Sequence, residues 1–315
     1  MFAFAKRLFP ADTRGIILGY LYRCPPCALP SVTLNRGGAN ILRACYFNFI
    51  YLIRRQPKKN TEVSNYIETL RRDGILKIEN FLSDAELDAI RAEYENVYED
   101  FIVSSKITVP VQKRYWVSRS TVTASEFKSS KANAMKQSFL ANDTIKNIIE
   151  GAIKRKVKIL PAAAYTEEYY QAEDLGKDSQ NPTVMPHYDV PYHSYKAFFY
   201  LDDVDEGNGV FHYSIGSHRF NLRRLILEYF TSINVSAKKT PQVNYNDSKH
   251  LGTYKEAMIP MIGKKNTLII FDAMGIHKRG SFSTTKPRRM VQLYYRSVDS
   301  KANTYRKLID RIISA

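Results

Sequence analysis

The apolar pattern of this 315-residue chain changes character once, near residue 184, and that change restricts the folds open to it. Before it, helical spacing alternates with a few extended runs. An amphipathic helix from about Val63 to Arg72 ends at Asp73-Gly74, where glycine can take the left-handed cap. Ser83-Asp-Ala-Glu86 reads as a capping box opening a helix to about Asp100, and a further helix runs from about Thr144 to Lys154. Ile75–Phe81, Ile107–Ser118 and Lys158–Tyr170 read as strands. Beyond 184 come short β runs, Lys196–Leu201, Gly209–Tyr213, Thr267–Phe271 and Arg289–Arg296, interrupted by one helical insert from about Asn221 to Thr231. Helices first and short strands later predict an α+β fold with a mainly β core. The expected architecture is a sandwich or jelly roll buttressed by N-terminal helices.

Charge divides the chain differently. Residues 1–60 hold ten Lys or Arg against a single acid, Asp12, although the whole chain is only +16. Gln56-Pro-Lys-Lys-Asn60 is a polar joint, so residues 1–60 form a basic N-terminal extension and residues 61–315 the main domain. The extension reads as a targeting peptide, a membrane-surface segment or a packing segment, the second of these readings implying peripheral membrane contact through it. No stretch approaches the roughly 18 apolar residues of a membrane span. A cytoplasmic or organellar location without a transmembrane helix follows as the expectation. No RNA- or DNA-binding motif accompanies the charge, and no nucleic-acid partner is expected. Cys24, Cys27 and Cys45 all lie in the extension. Cys24-Pro-Pro-Cys27 has redox or zinc spacing but lacks a second ligand pair.

Chemistry concentrates in Pro186-His187-Tyr188-Asp189-Val190. In extended backbone, residues two apart share a face, so His187 and Asp189 converge while Tyr188 turns away. A His and a carboxylate supply two ligands of the facial triad of non-haem Fe(II) oxygenases, and a distant His completes it. Such a site leaves three octahedral positions open, enough for a bidentate 2-oxo acid and O₂. Of the six histidines, His277 follows the apolar strand Thr267–Phe271, whose end can deliver it to the core. Eleven residues on, Arg288 and Arg289 open the next strand. An arginine fork suits a second carboxylate on the cosubstrate, and adjacent strand residues face opposite sides, so one of the two points inward. Spacing favours Arg288.

These features together resemble the phytanoyl-CoA dioxygenase family of Fe(II)/2-oxoglutarate enzymes. The resemblance rests on Asp73–Leu87, His187-Tyr-Asp189, Tyr200–Gly209, Gly216-Ser-His218, His277 and Arg288, spanning about residues 65–298. It implies a double-stranded β-helix in which His187, Asp189 and His277 bind iron and Arg288 holds the far carboxylate of 2-oxoglutarate. It further implies hydroxylation of a small-molecule or lipid-like substrate with release of succinate and CO₂. The alternative is a catalytically idle jelly-roll binding module. Family members often carry Asn five residues after the distal His, where this chain has Phe282. Related halogenases lack the carboxylate that Asp189 supplies. Tyr165, Tyr169 and Lys196 could also hold 2-oxoglutarate, the tyrosines having core packing as their other reading. Tyr188, Tyr192 and His193 could line the pocket mouth, and Gly216-Ser-His218 reads as a structural helix entry, with substrate contact as the other reading of His218. Arg219, Arg223 and Arg224 form either a solvated helix face or a receptor for an anionic substrate.

Overall fold

A computed structural model describes residues 32–53, 63–104, 133–159, 164–168, 182–189, 192–238 and 257–297, with the single positions Tyr170, Leu175 and Tyr254. Local signals set the first elements. Helices α1 (Val32–Arg36) and α2 (Ala39–Leu52) precede α3 (Ser64–Asp73). Helix α3 stops where Gly74 takes φ 80° and its N–H reaches the Leu70 carbonyl. A Cβ there would also lie 2.3 Å from His218 Nδ1, so both backbone and space require glycine. Strand β1 (Ile75–Ile78) is shorter than the expected 75–81, because Asn80 turns the chain at φ 51°. Helix α4 (Asp84–Ser104) opens with the capping box: Ser83 N–H and Oγ both donate to Glu86 Oε2, at 2.9 and 2.6 Å. A short α5 (Asn133–Met135) runs into a π-helical turn at Lys136–Leu140. Helix α6 (Asp143–Ile153) follows, with the Asn142 side chain accepting the Ile145 N–H. The expected strand at 107–118 lies outside the described residues.

The remaining strands are β2 (Val157–Ile159), β3 (Ala164–Glu168), β4 (Tyr195–Tyr200), β5 (Phe211–Ser214), β6 (Met258–Pro260), β7 (Leu268–Asp272), β8 (His277–Arg279) and β9 (Arg288–Ser297). Helix α7 (Leu222–Lys238) separates β5 from β6. Among the described residues all pairings are antiparallel. The larger sheet runs β1-β7-β4-β9-β2 with β3 also on β9, and the smaller runs β6-β5-β8.

The larger sheet is buried on both faces, which is why β7 reads as an unbroken apolar run. Leu268, Ile270, Ala197, Phe199, Val291 and Leu293 pack against Leu70, Ile90, Phe139, Ile145 and Ile149 of the helices. The alternate residues Ile269, Phe271, Tyr200 and Met290 meet Val210, Phe211 and Tyr213 of the smaller sheet. Each Leu or Ile so buried contributes about 1.5–3 kcal/mol. The result is the jelly roll with a helical buttress that the pattern predicts.

Helices α1 and α2 pack on α7: Asn35 Nδ2 donates to the Ser232 carbonyl at 3.2 Å, and Tyr229 OH to the Arg36 carbonyl at 3.1 Å. Cys45 is a free, half-buried thiol in α2, while Cys24, Cys27 and the joint at 56–60 lie outside the described residues. Among the described residues no helix is long and apolar enough to cross a membrane.

Candidate metal centre

His187 and His277 sit opposite each other in an isolated antiparallel bridge, exchanging both backbone hydrogen bonds at 2.9 and 2.8 Å. Asp189 extends this pairing by donating its N–H to the Ala273 carbonyl at 2.9 Å. Residues 187–189 are therefore a ladder fragment rather than a full strand, yet alternation still holds. His187 and Asp189 share one side, while Tyr188 turns to the other and is buried among Leu227, Tyr254 and Ile276.

One ligand atom from each of His187, Asp189 and His277 lies within 4.8 Å of the others. His187 Nε2 is 3.9 Å from Asp189 Oδ1, and His277 Nε2 is 3.6 Å from Asp189 Oδ2. Both imidazoles are held from behind: His187 Nδ1 bonds the Met185 carbonyl at 2.7 Å, His277 Nδ1 the Gly275 carbonyl at 2.9 Å. A carbonyl can only accept, so each Nδ1 carries the proton and each Nε2 turns a lone pair toward the carboxylate. That is the arrangement by which metal-ligating histidines are oriented. Two neutral imidazoles and a carboxylate facing one point, with no fourth protein ligand in the cluster among the described residues, fit a divalent cation with open positions.

The charge states agree. Burial keeps His187 neutral by lowering its pKa, and takes His277 down to about 3. Burial alone would raise the Asp189 pKa, but Lys196, followed by His277 and His187, holds it well below the ordinary carboxylate range.

Parity along the strands decides the other candidates. On β4, Tyr195, Ala197 and Phe199 face the helices, so Lys196 faces into the barrel. Its Nζ lies 2.7 Å from Asp189 Oδ2 and 4.9 Å from the centre of the Tyr294 ring. On β9, Val291 and Leu293 face the helices, which puts Arg289 on that outer side and Arg288 inside. Arg289 pairs with Asp202 and Glu95 instead of a cosubstrate. Arg288 is buried, donates to the Gly209 carbonyl and Glu168, and keeps its Nε without a partner among the described residues. Glu168 stands opposite Arg288 in the β3–β9 register and also lies 3.6 Å from Arg279.

Two expectations, on Tyr165 and Arg224, are corrected by these placements. Tyr165 stands opposite Val291, hence on the helix side, where its hydroxyl donates to Glu93 at 2.6 Å; it is a core residue. Arg224 is fully buried rather than part of a basic face, paired with Glu228 at 2.9 Å. His218 is buried beneath α3, its Nε2 bonding the Arg71 carbonyl at 2.9 Å, and takes no part in the triad. Arg219 and Arg223 are exposed as expected, and Tyr169 lies outside the described residues. His193 pairs with the buried Asp272, and its ring lies tilted against that of Tyr51, centroids 4.0 Å apart. Phe282 is buried 4.9 Å from the Tyr170 ring. Sequence reasoning passed over Glu168 and Glu228, whose acids look ordinary until strand register and helix face are known.

Comparisons with known proteins converge on one group. The family described as phytanoyl-CoA dioxygenase matches residues 70–290. Among solved structures, EctD from S. alaskensis with bound Fe is similar at 16% identity and TM-score 0.51, covering 78% of this chain and 81% of that one. The epimerase SnoN, in complex with Fe3+, alpha ketoglutarate and nogalamycin RO, is similar at 14% identity and TM-score 0.50, covering 75% and 84%. No curated protein matches the sequence significantly.

Proposed function

The chain belongs to the phytanoyl-CoA dioxygenase family, and from that premise we propose that it is an Fe(II)- and 2-oxoglutarate-dependent oxygenase hydroxylating a small-molecule or lipid-like substrate. The observation that carries the reading is the trio of His187 Nε2, an Asp189 oxygen and His277 Nε2 gathered within 4.8 Å, with both histidines tied from behind. Iron and 2-oxoglutarate, when bound, would supply the oxidation: O₂ is reduced, the cosubstrate leaves as succinate and CO₂, and one oxygen atom enters a substrate C–H bond.

The residues of the chain hold the parts. His187, Asp189 and His277 would occupy one face of the metal. Arg288, buried with an unpartnered Nε, would receive the far carboxylate of 2-oxoglutarate. Lys196 would stand beside the metal as a second cation for the cosubstrate. Asp189 fills the position that related halogenases leave open, which supports hydroxylation over halogenation. The epimerase among the similar structures shows only that this fold also serves other outcomes.

One observation favours a second reading, a binding module without turnover. The Lys196 ammonium lies close enough to Asp189 to neutralise it without a metal. Adding Mn(II) or Fe(II) separates the two. A cation that binds only the folded state at 100 times its Kd stabilises it by about 2.7 kcal/mol, raising the melting temperature. That shift should vanish in His187→Ala and persist in His212→Ala, and succinate release from 2-oxoglutarate should follow the same pattern. A wild-type chain showing neither metal-dependent melting nor succinate release would leave only the binding module.

A further inference from the structure

We propose that the outer faces of α2 and α7 form a docking surface for an anionic lipid bilayer. Helix α2 is apolar on two sides. Ala44 and Asn48 are buried toward the domain, whereas Leu42, Phe49, Leu52 and Ile53 are 71, 58, 69 and 59% exposed. Positions 42, 49, 52 and 53 recur at helical spacing and make one stripe. Helix α7, packed beside α2, carries its own stripe: Leu222, Ile226 and Phe230, four residues apart, are exposed while Arg224, Leu227 and Glu228 point inward. Large apolar side chains grouped in this way on a soluble surface mark an interaction site.

Charge identifies the occupant. Helix α2 contains no acid, and residues 1–60 carry ten basic residues against Asp12 alone, including Arg54-Arg55 and Lys58-Lys59 immediately after the helix. Arg36, Arg219 and Arg223 are exposed on α1, before α7 and on α7. The one acid among residues 222–238, Glu228, is buried and neutralised by Arg224. A protein partner of ordinary composition does not call for a segment so nearly of one sign. A negatively charged membrane does, accepting apolar side chains at the headgroup boundary while attracting Lys and Arg. Neither helix can span the bilayer, so the contact lies in the interface plane.

The surface and the metal centre use different residues, so the two readings can fail separately. The same helices nonetheless reach the segments that carry the triad: the Tyr51 ring of α2 lies 4.0 Å from that of His193, and Glu228 of α7 accepts the Tyr188 hydroxyl at 2.6 Å. Membrane docking here would hold the enzyme at the source of a lipid-borne substrate.

The test is co-sedimentation of the full chain with phosphatidylcholine vesicles, with and without phosphatidylserine, at low and high salt. Binding should require phosphatidylserine and weaken with salt. The pair Phe49→Ser and Leu52→Ser should weaken it about tenfold or more, as should Leu222→Ser with Ile226→Ser. All four positions are exposed, so melting temperature and metal-dependent stabilisation should be unchanged, which certifies the fold. Absence of binding to either vesicle, or binding equally strong in both variants, overturns the proposal. So does a wild-type dimer in sedimentation velocity that the same substitutions dissociate, since the face would then belong to a second copy of the chain.

Discussion

Replacing Glu228 by Gln is expected to destabilise the fold by about 3–5 kcal/mol, although the residue lies on a surface helix. Arg224 and Glu228 are both fully buried, one turn apart on α7. The guanidinium donates from Nε to Glu228 Oε1 at 2.9 Å, and from Nη1 to the Ser217 and Met274 carbonyls at 3.1 and 2.8 Å. It also lies 4.1 Å from the centre of the Tyr188 ring. Two charges withdrawn from water gain little over an apolar pair, but a single one left behind is costly. Glutamine keeps an acceptor and loses the charge, so the lower end, about 3 kcal/mol, is the better expectation. That corresponds to a fall of roughly 6–12 °C in melting temperature. Tyr188→Phe removes one hydrogen bond to a carboxylate and should cost less, about 1.5–2 kcal/mol. Arg224→Met combined with Glu228→Leu removes both charges and should recover most of the loss. Because Tyr188 lies between two triad members and the Met274 carbonyl precedes the third, Glu228→Gln should also weaken Mn(II) binding by roughly 10–100-fold. Thermal melting with and without Mn(II), across wild type and the three variants, measures all of this. A Glu228→Gln protein that melts within 2 °C of wild type and binds metal normally would refute the reasoning.

Glu168 is expected to compete with the cosubstrate for Arg288. Glu168→Gln should lower the melting temperature of the free protein while tightening 2-oxoglutarate binding in the presence of Mn(II), by about tenfold at the value of one charge-assisted hydrogen bond; calorimetry showing weaker binding would mean that Glu168 only orients the arginine. Acid should destabilise the fold in a defined window. Burial lowers the His218 pKa below its ordinary 6.5, so between that value and the lower folded one the unfolded chain binds the extra proton and stability falls as pH falls. Urea titrations from pH 7.5 downward should show a slope of up to about 1.4 kcal/mol per pH unit from this group. In His218→Gln that part of the slope should be gone; an unchanged slope would place the acid sensitivity elsewhere.

The parts of this molecule legible in its sequence are those set by neighbours along the chain. The capping box at Ser83-Glu86 and the glycine cap at 74 need only a few residues to be recognised, and both form as expected. The His187-x-Asp189 alternation survives because it needs extended backbone rather than a strand. Tyr165 and Arg224 were misplaced for the converse reason. Which side of β3 faces the barrel depends on its register against β9, and which side of α7 is buried depends on Tyr188 and Met274, distant in sequence. Strand β8, His277-Lys-Arg279, is too short and too polar to announce itself by pattern. The choice between Arg288 and Arg289 fell to parity, once Val291 and Leu293 were seen to face the helices.

The reciprocal pairing of His187 with His277 has an all-or-none consequence. Because each amide bonds the other's carbonyl, a slip of one residue in the 187–189 segment would not merely loosen the centre. It would rotate Tyr188 inward and send both His187 and Asp189 outward, exchanging a polar cradle for an aromatic plug. A single added residue between Ala273 and His277 would prevent both anchors from being matched at once. Assembly of the cradle is thus counted in whole residues, with no partly formed version between complete and lost.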